Sequence, residues 1–194
     1  MFKRLIGILI MGIVIKIMDD SLDRDLDKMT GQWNITSILN RSITPYCILM
    51  VIISLYFNFE ECISIYMTSY ILGMINDCRE KLPSKLFAWQ ECIIIFFLSI
   101  SITSFINMIS TIFIIILIQI IDDYIDLKKD TYPQTNNIII KLGCVNTILL
   151  FIIILFLSLV YFPIKLYYFI IADFFIYLIF FYLEKINRND LYDY

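Results

Sequence analysis

Apolar residues gather into four long blocks, at about 2–18, 43–76, 87–121 and 138–183, separated by short polar segments. A membrane-crossing helix needs roughly 20 apolar residues, with about 17 as a lower limit. The first block therefore makes one short span, and the other three are too long for one each. The second is interrupted near its middle by Asn58, Glu60 and Glu61, which predicts a tight turn there. The third would run about 52 Å as one helix against a hydrocarbon core about 30 Å thick. Its polar cluster Ser99, Ser101, Thr103, Ser104 and Asn107 marks the turn. The fourth breaks at Pro163–Lys165, because proline is poorly accommodated inside a helix. The pattern predicts an all-α polytopic transmembrane bundle of about seven helices, forming a single domain over 1–194.

Composition agrees with this class. Of the 194 residues, 60% are hydrophobic and 17% charged, whereas soluble domains are about 45–50% apolar. Five Gly and four Pro suit helices, and the ten-residue alternation of a transmembrane barrel is missing. The absence of His excludes His-based acid–base or metal chemistry. The five cysteines are scattered without a CxxC pair and read as small apolar fillers. The start, MFKRLIGILIMGIVIK, has a basic end and an apolar run. An acidic helix end follows it in place of a small-residue cleavage site, so it reads as a retained first span.

Charge then orients the bundle. The 19–42, 77–86 and 122–137 segments and the C-terminal tail carry ten Lys and Arg, with Lys141 just inside the next helix. The opposite face has Lys3, Arg4 and Lys165, and Lys16 lies within a helix. The positive-inside rule places the first set of segments in the cytoplasm of a multi-pass integral membrane protein. Membrane lipid is thus an expected partner, and nucleic acid is not.

Two of those segments share a pattern. IKIMDDSLDRDLD at 15–27 and IQIIDDYIDLKKD at 118–130 place Asp at identical offsets: Asp19, Asp20, Asp23 and Asp27, then Asp122, Asp123, Asp126 and Asp130. Offsets of three and four return to one helical face. Asp20, Asp23 and Asp27 form one stripe; Asp122, Asp126 and Asp130 form another, as do Asp123, Asp126 and Asp130. Either comb alone reads equally well as a solvated acidic face. Two of identical spacing, each closing an apolar helix, suit hard cations such as magnesium or calcium. Magnesium is commonly held by one or two carboxylates plus substrate phosphates, so the combs read as two walls of a diphosphate–magnesium site.

MDDSLDRDLD resembles the NDxxDxxxD signature of the UbiA superfamily of intramembrane prenyltransferases, and DDYIDLKKD matches its second signature, DxxxDxxxD. Four predicted helices separate the motifs, as in that family. The resemblance covers most of the chain, from the family's second helix to about its eighth. Asp19 stands where the family has Asn. Nothing here corresponds to the family's first or last helix, so a second copy or another partner is expected to complete the bundle.

The resemblance implies an Mg2+-dependent enzyme acting on an isoprenyl diphosphate, with Asp20, Asp23 and Asp126 in the catalytic set and all eight comb carboxylates as metal ligands. A lipophilic, aromatic acceptor fits a transferase; a UbiA-type terpene cyclase would use the same diphosphate site. A non-catalytic cation-binding or transport protein is the third reading. The family also has a basic patch in the loop matching NDCREKLPSK, which makes Arg79 and Lys81 diphosphate candidates beside their plain topological role. Lys16, one turn before the first comb, can reach phosphate, pair with Asp20 or snorkel to the interface. Sixteen Phe and thirteen Tyr can supply ring faces for a carbocation. Asp173 is an acid inside an apolar run, a functional candidate on that ground alone. Asn107 and Asn146 carry the same ambiguity, helix packing being the commoner role.

Overall fold

The computed structural model describes residues 2–30, 33–75, 78–129 and 137–190. Among them the chain is helical, with no strand. Seven helices run fifteen residues or more: α1 (Phe2–Leu22), α4 (Ile43–Phe57), α5 (Phe59–Ile75), α6 (Ala88–Ile102), α7 (Phe105–Lys129), α9 (Cys144–Tyr161) and α10 (Pro163–Asp190). The short ones are α2 (Arg24–Thr30), α3 (Thr36–Leu39) and α8 (Ile138–Leu142).

The breaks fall where polar residues or proline interrupt the apolar blocks. Asn58, extended at φ −156°, separates α4 from α5, and its N–H still reaches the Ser54 carbonyl at 3.1 Å. Thr103 and Ser104 separate α6 from α7, and Phe162 precedes Pro163 between α9 and α10.

Four segments are long and apolar enough to cross a membrane: Thr36–Phe57, Phe105–Ile125, Cys144–Tyr161 and Pro163–Ile186. The outer faces of these helices expose Ile48, Leu49, Ile52 and Ile53 on α4 and Ile148, Leu149, Ile152 and Ile153 on α9. Such apolar faces belong in lipid rather than water. Helix α1 carries Lys3, Arg4, Lys16, Asp19 and Asp20 within its length, and α5 and α6 have 17 and 15 residues. By length and composition, the seven expected spans therefore reduce to four.

The chain divides into two compact units. One comprises Met1–Cys62 and Tyr168–Tyr194; the other is Ile63–Tyr167. Each repeats one succession: a long helix ending in an Asp comb, a loop, a short helix, a second apolar helix, a tight turn and the start of a third helix.

In the first unit, α1 buries Ile8, Met11, Val14 and Ile17, which recur every three residues along one face. Val14 and Ile17 join Ile35, Cys47 and Phe180 in the core. Gly7 lets α1 come close to its neighbours: a Cβ there would sit 3.1 Å from the Cys62 sulfur and 3.3 Å from the Ser54 carbonyl oxygen.

In the second unit, α7 buries Thr111, Ile114, Leu117 and Ile120 at the matching places before its own comb. It packs on α9, and Ser99, Ser110, Thr111, Thr147 and Ser158 are buried in this unit. Small polar side chains let helices approach closely where no hydrophobic effect separates protein from lipid.

Each unit also closes with a polar clamp at the end of the long helix far from the comb. In the first, Arg4 pairs with Glu61, the third residue of α5, and lies over the Tyr168 ring at 5.1 Å. In the second, Asn107 holds the place of Arg4, and Lys165, the third residue of α10, holds that of Glu61. The Lys165 ammonium, 6% exposed, donates to the Asn107 carbonyl (2.9 Å), Ser110 Oγ (2.8 Å), Thr111 Oγ1 (2.7 Å) and the Asn107 side-chain oxygen. Asn107 in turn donates to Ser64 Oγ at 2.9 Å. This is a packing role for an intramembrane Asn.

Candidate functional site

The first comb lies across a bend. Helix α1 ends at Leu22, Asp23 is a bend residue, and α2 starts at Arg24. Helical hydrogen bonding nevertheless continues: the Asp23 N–H reaches the Asp19 carbonyl (3.1 Å) and the Asp27 N–H reaches the Asp23 carbonyl (2.9 Å). Asp19, Asp23 and Asp27 therefore mark successive turns.

The second comb lies on one uninterrupted helix, since α7 runs to Lys129. It places Asp122 and Asp123 at one turn and the backbone of Asp126 at the next. The Asp126 side chain and all of Asp130 lie outside the described residues.

A return loop closes on each comb in the same way. In the first unit, the Asn34 amide donates to the Asp20 carbonyl and to Asp27 Oδ2, both at 2.6 Å. Its oxygen accepts from the Thr36 N–H at 2.8 Å. The Ile35 N–H bonds the Asp20 carboxylate. In the second unit, the Asn137 amide donates to the Asp123 carbonyl at 2.8 Å, and its oxygen accepts from the Ile139 N–H at 2.9 Å. The Ile138 N–H donates to Asp123 Oδ2 at 2.6 Å. Each Asn stands fourteen residues after the second Asp of its comb.

Neither Asn was among the site residues expected from sequence. A signal did exist: extending the comparison of the combs onward reaches Asn-Ile at 34–35 and again at 137–138. The residues between the combs and these dipeptides differ enough to hide it.

Burial pushes the Asp20 carboxyl up to about 6, and Asp19 and Asp27 add to the rise; Lys16 and the Ile35 N–H pull it down. Lys16 Nζ lies 4.0 Å from Asp20 Oδ1, one helical turn away. Clustered acids that raise each other's pKa are the donor set a hard cation neutralises. Among the described residues, no three Asp, Glu or Cys side chains converge closely enough to hold an ion by themselves. The comb spreads its carboxylates along a helix, which suits an ion that takes its remaining ligands from water and phosphate.

The basic candidates in the 78–87 loop belong to an ordered turn of the second unit. The Leu82 N–H bonds the Leu86 carbonyl at 2.9 Å, and the Ala88 N–H bonds the Glu80 carbonyl at 3.0 Å. Lys81 lies over the Phe87 ring at 5.5 Å, and Arg79 is exposed. Asp173 is half-buried on α10 and belongs to the first unit. Asn146 is exposed and bonds the Leu142 carbonyl one turn back.

No protein-family model matches the chain, and no curated protein or solved structure matches it either.

Proposed function

We propose that the chain is a magnesium-dependent intramembrane prenyltransferase, moving an isoprenyl group from its diphosphate to a lipophilic acceptor. The observation that carries this reading is the repeated fixture: two apolar helices, each ending in the same Asp comb, each comb held by the same return loop. An acidic edge that served solubility alone would not need its carboxylates fixed by buried amides and backbone N–H groups.

Comb carboxylates would hold Mg2+, which when bound neutralises charge on a departing diphosphate. Lys16 at the first comb and Arg79 and Lys81 in the 78–87 loop supply cations suited to phosphate oxygens. The UbiA resemblance of the two Asp signatures points to the same chemistry.

The reading requires both combs on one membrane face, the cytoplasmic one by charge. It therefore requires α5 and α6 to cross together with the longer helices. The breaks at Asn58 and at Thr103–Ser104 supply the two reversals this needs.

The test is purified protein in lipid, supplied with magnesium and isoprenyl diphosphates of graded length, with and without lipophilic acceptors. Diphosphate release that depends on an acceptor is expected. Release without an acceptor, with a cyclic hydrocarbon or alcohol as product, would make the protein a terpene cyclase working through the same residues. No release at any chain length from folded protein would overturn both enzyme readings and leave cation binding or transport.

A further inference from the structure

We propose that Asn34 and Asn137 are positioning residues, each orienting the carboxylates of its comb for a divalent cation. The inference rests on the magnesium reading above. Both amides are buried, 6% and 7% exposed, and a buried amide is retained only when its donors and acceptors are satisfied. Here the partners are the comb itself. Asn34 ties the Asp20 carbonyl, in the last turn of α1, to the Asp27 carboxylate on α2. It thus spans the bend at Asp23 and sets both the angle of the bend and the rotamer of Asp27.

The residue after each Asn completes the device. Backbone N–H groups of Ile35 and Ile138 occupy the carboxylates of Asp20 and Asp123. An oxygen engaged by a fixed N–H is turned toward the loop, so Asp20 and Asp123 offer a cation one oxygen each. Asp27, held through Oδ2, likewise presents Oδ1. Ligating carboxylates are oriented by such outer partners, and losing one typically costs about 10–100-fold in metal affinity.

The competing role for each Asn is simply to cap the short helix that follows, through the Thr36 and Ile139 N–H groups. Serine separates the two roles. It caps a helix well but lacks the amide donors that reach Asp20, Asp27 and Asp123.

The experiment uses the full chain in lipid nanodiscs, with Mn2+ binding read by electron paramagnetic resonance and Mg2+ as competitor. Asn34→Ser and Asn137→Ser should melt close to wild type without metal, yet each should weaken Mn2+ binding by about tenfold or more. Ala at either site should weaken binding as much and also lower the melting temperature. Serine variants that bind Mn2+ as the wild type does would overturn the inference and leave a capping role. A wild-type chain that binds no Mn2+ would overturn the magnesium reading, and this inference with it. A readout independent of variant folding comes from the wild type. The side-chain amide resonances of Asn34 and Asn137 should shift with the same Mg2+ midpoint, and resonances that stay fixed while Mg2+ binds would count against positioning.

Discussion

The two units solve one construction problem with different residues. Each carries a long helix with an apolar face, an Asp comb at one end, an Asn loop over the comb and a polar clamp at the other end. The combs and their loops agree nearly atom for atom in hydrogen bonding. The clamps differ in kind: Arg4 meets an anion, Glu61, whereas Lys165 is surrounded by carbonyl, amide and hydroxyl oxygens. A clamp needs only to satisfy a buried charge, and either an ion pair or a cage of neutral acceptors does so. The comb end admits less variation, which is the physical sign that its geometry is used.

Substitution at the combs gives the largest test of their equivalence. Asp23→Asn and Asp126→Asn hold the same place in the two repeats. Each should reduce magnesium-dependent diphosphate release on the order of 100-fold or more, because each removes charge from a cation site. Membrane insertion should be unchanged. Retained turnover in one variant alone would make the repeats unequal; retained turnover in both would sink the proposed site.

Next in size are the clamps. Lys165→Met should destabilise the chain by about 2 kcal/mol, since several buried oxygens lose a charged donor together. Glu61→Gln should cost about 1 kcal/mol, because Arg4 is partly exposed and keeps its contact with the Tyr168 ring. Unfolding in mixed micelles reads both. A larger loss for Glu61→Gln would reverse the assignment of the neutral cage as the more demanding clamp.

The smallest effect concerns pH at the first comb. The Asp20 carboxyl moves from 3.8 to about 6 on folding, so the folded chain holds this proton more tightly than the unfolded chain does. That contribution is complete below about pH 3.8 and is lost as pH rises through 6. In metal-free protein, Asp20→Asn should escape a loss on the order of 1 kcal/mol between pH 4 and 7. Added Mg2+ should narrow the difference by favouring the ionised carboxylate. Parallel stability profiles for wild type and variant would remove Asp20 from the account.

Much of this was legible in the residues. Apolar runs too long for one span, interrupted at Asn58, at Ser99–Asn107 and at Pro163, located every break between the long helices, because a change of polarity or a proline acts locally. The Asp spacing likewise identified two helix-borne combs. Asn34 and Asn137 escaped notice because an isolated polar residue in a loop has many ordinary uses. Their partners are fourteen residues back, a separation to which helical periodicity gives no weight. Lys165 was read as a charge marking the opposite face; its burial depends on three acceptor residues more than fifty positions earlier.

The sequence by itself determined the helical class, the helix breaks and the spacing of the carboxylates, since these follow from hydrophobic period, proline and side-chain offset along one chain. Tertiary structure alone decided which carboxylate oxygens are already engaged, and that the likeness of the two halves extends beyond the combs to loop, buried face and clamp. Those features arise when distant backbone and side-chain groups must satisfy one another away from water, and no local pattern records that requirement.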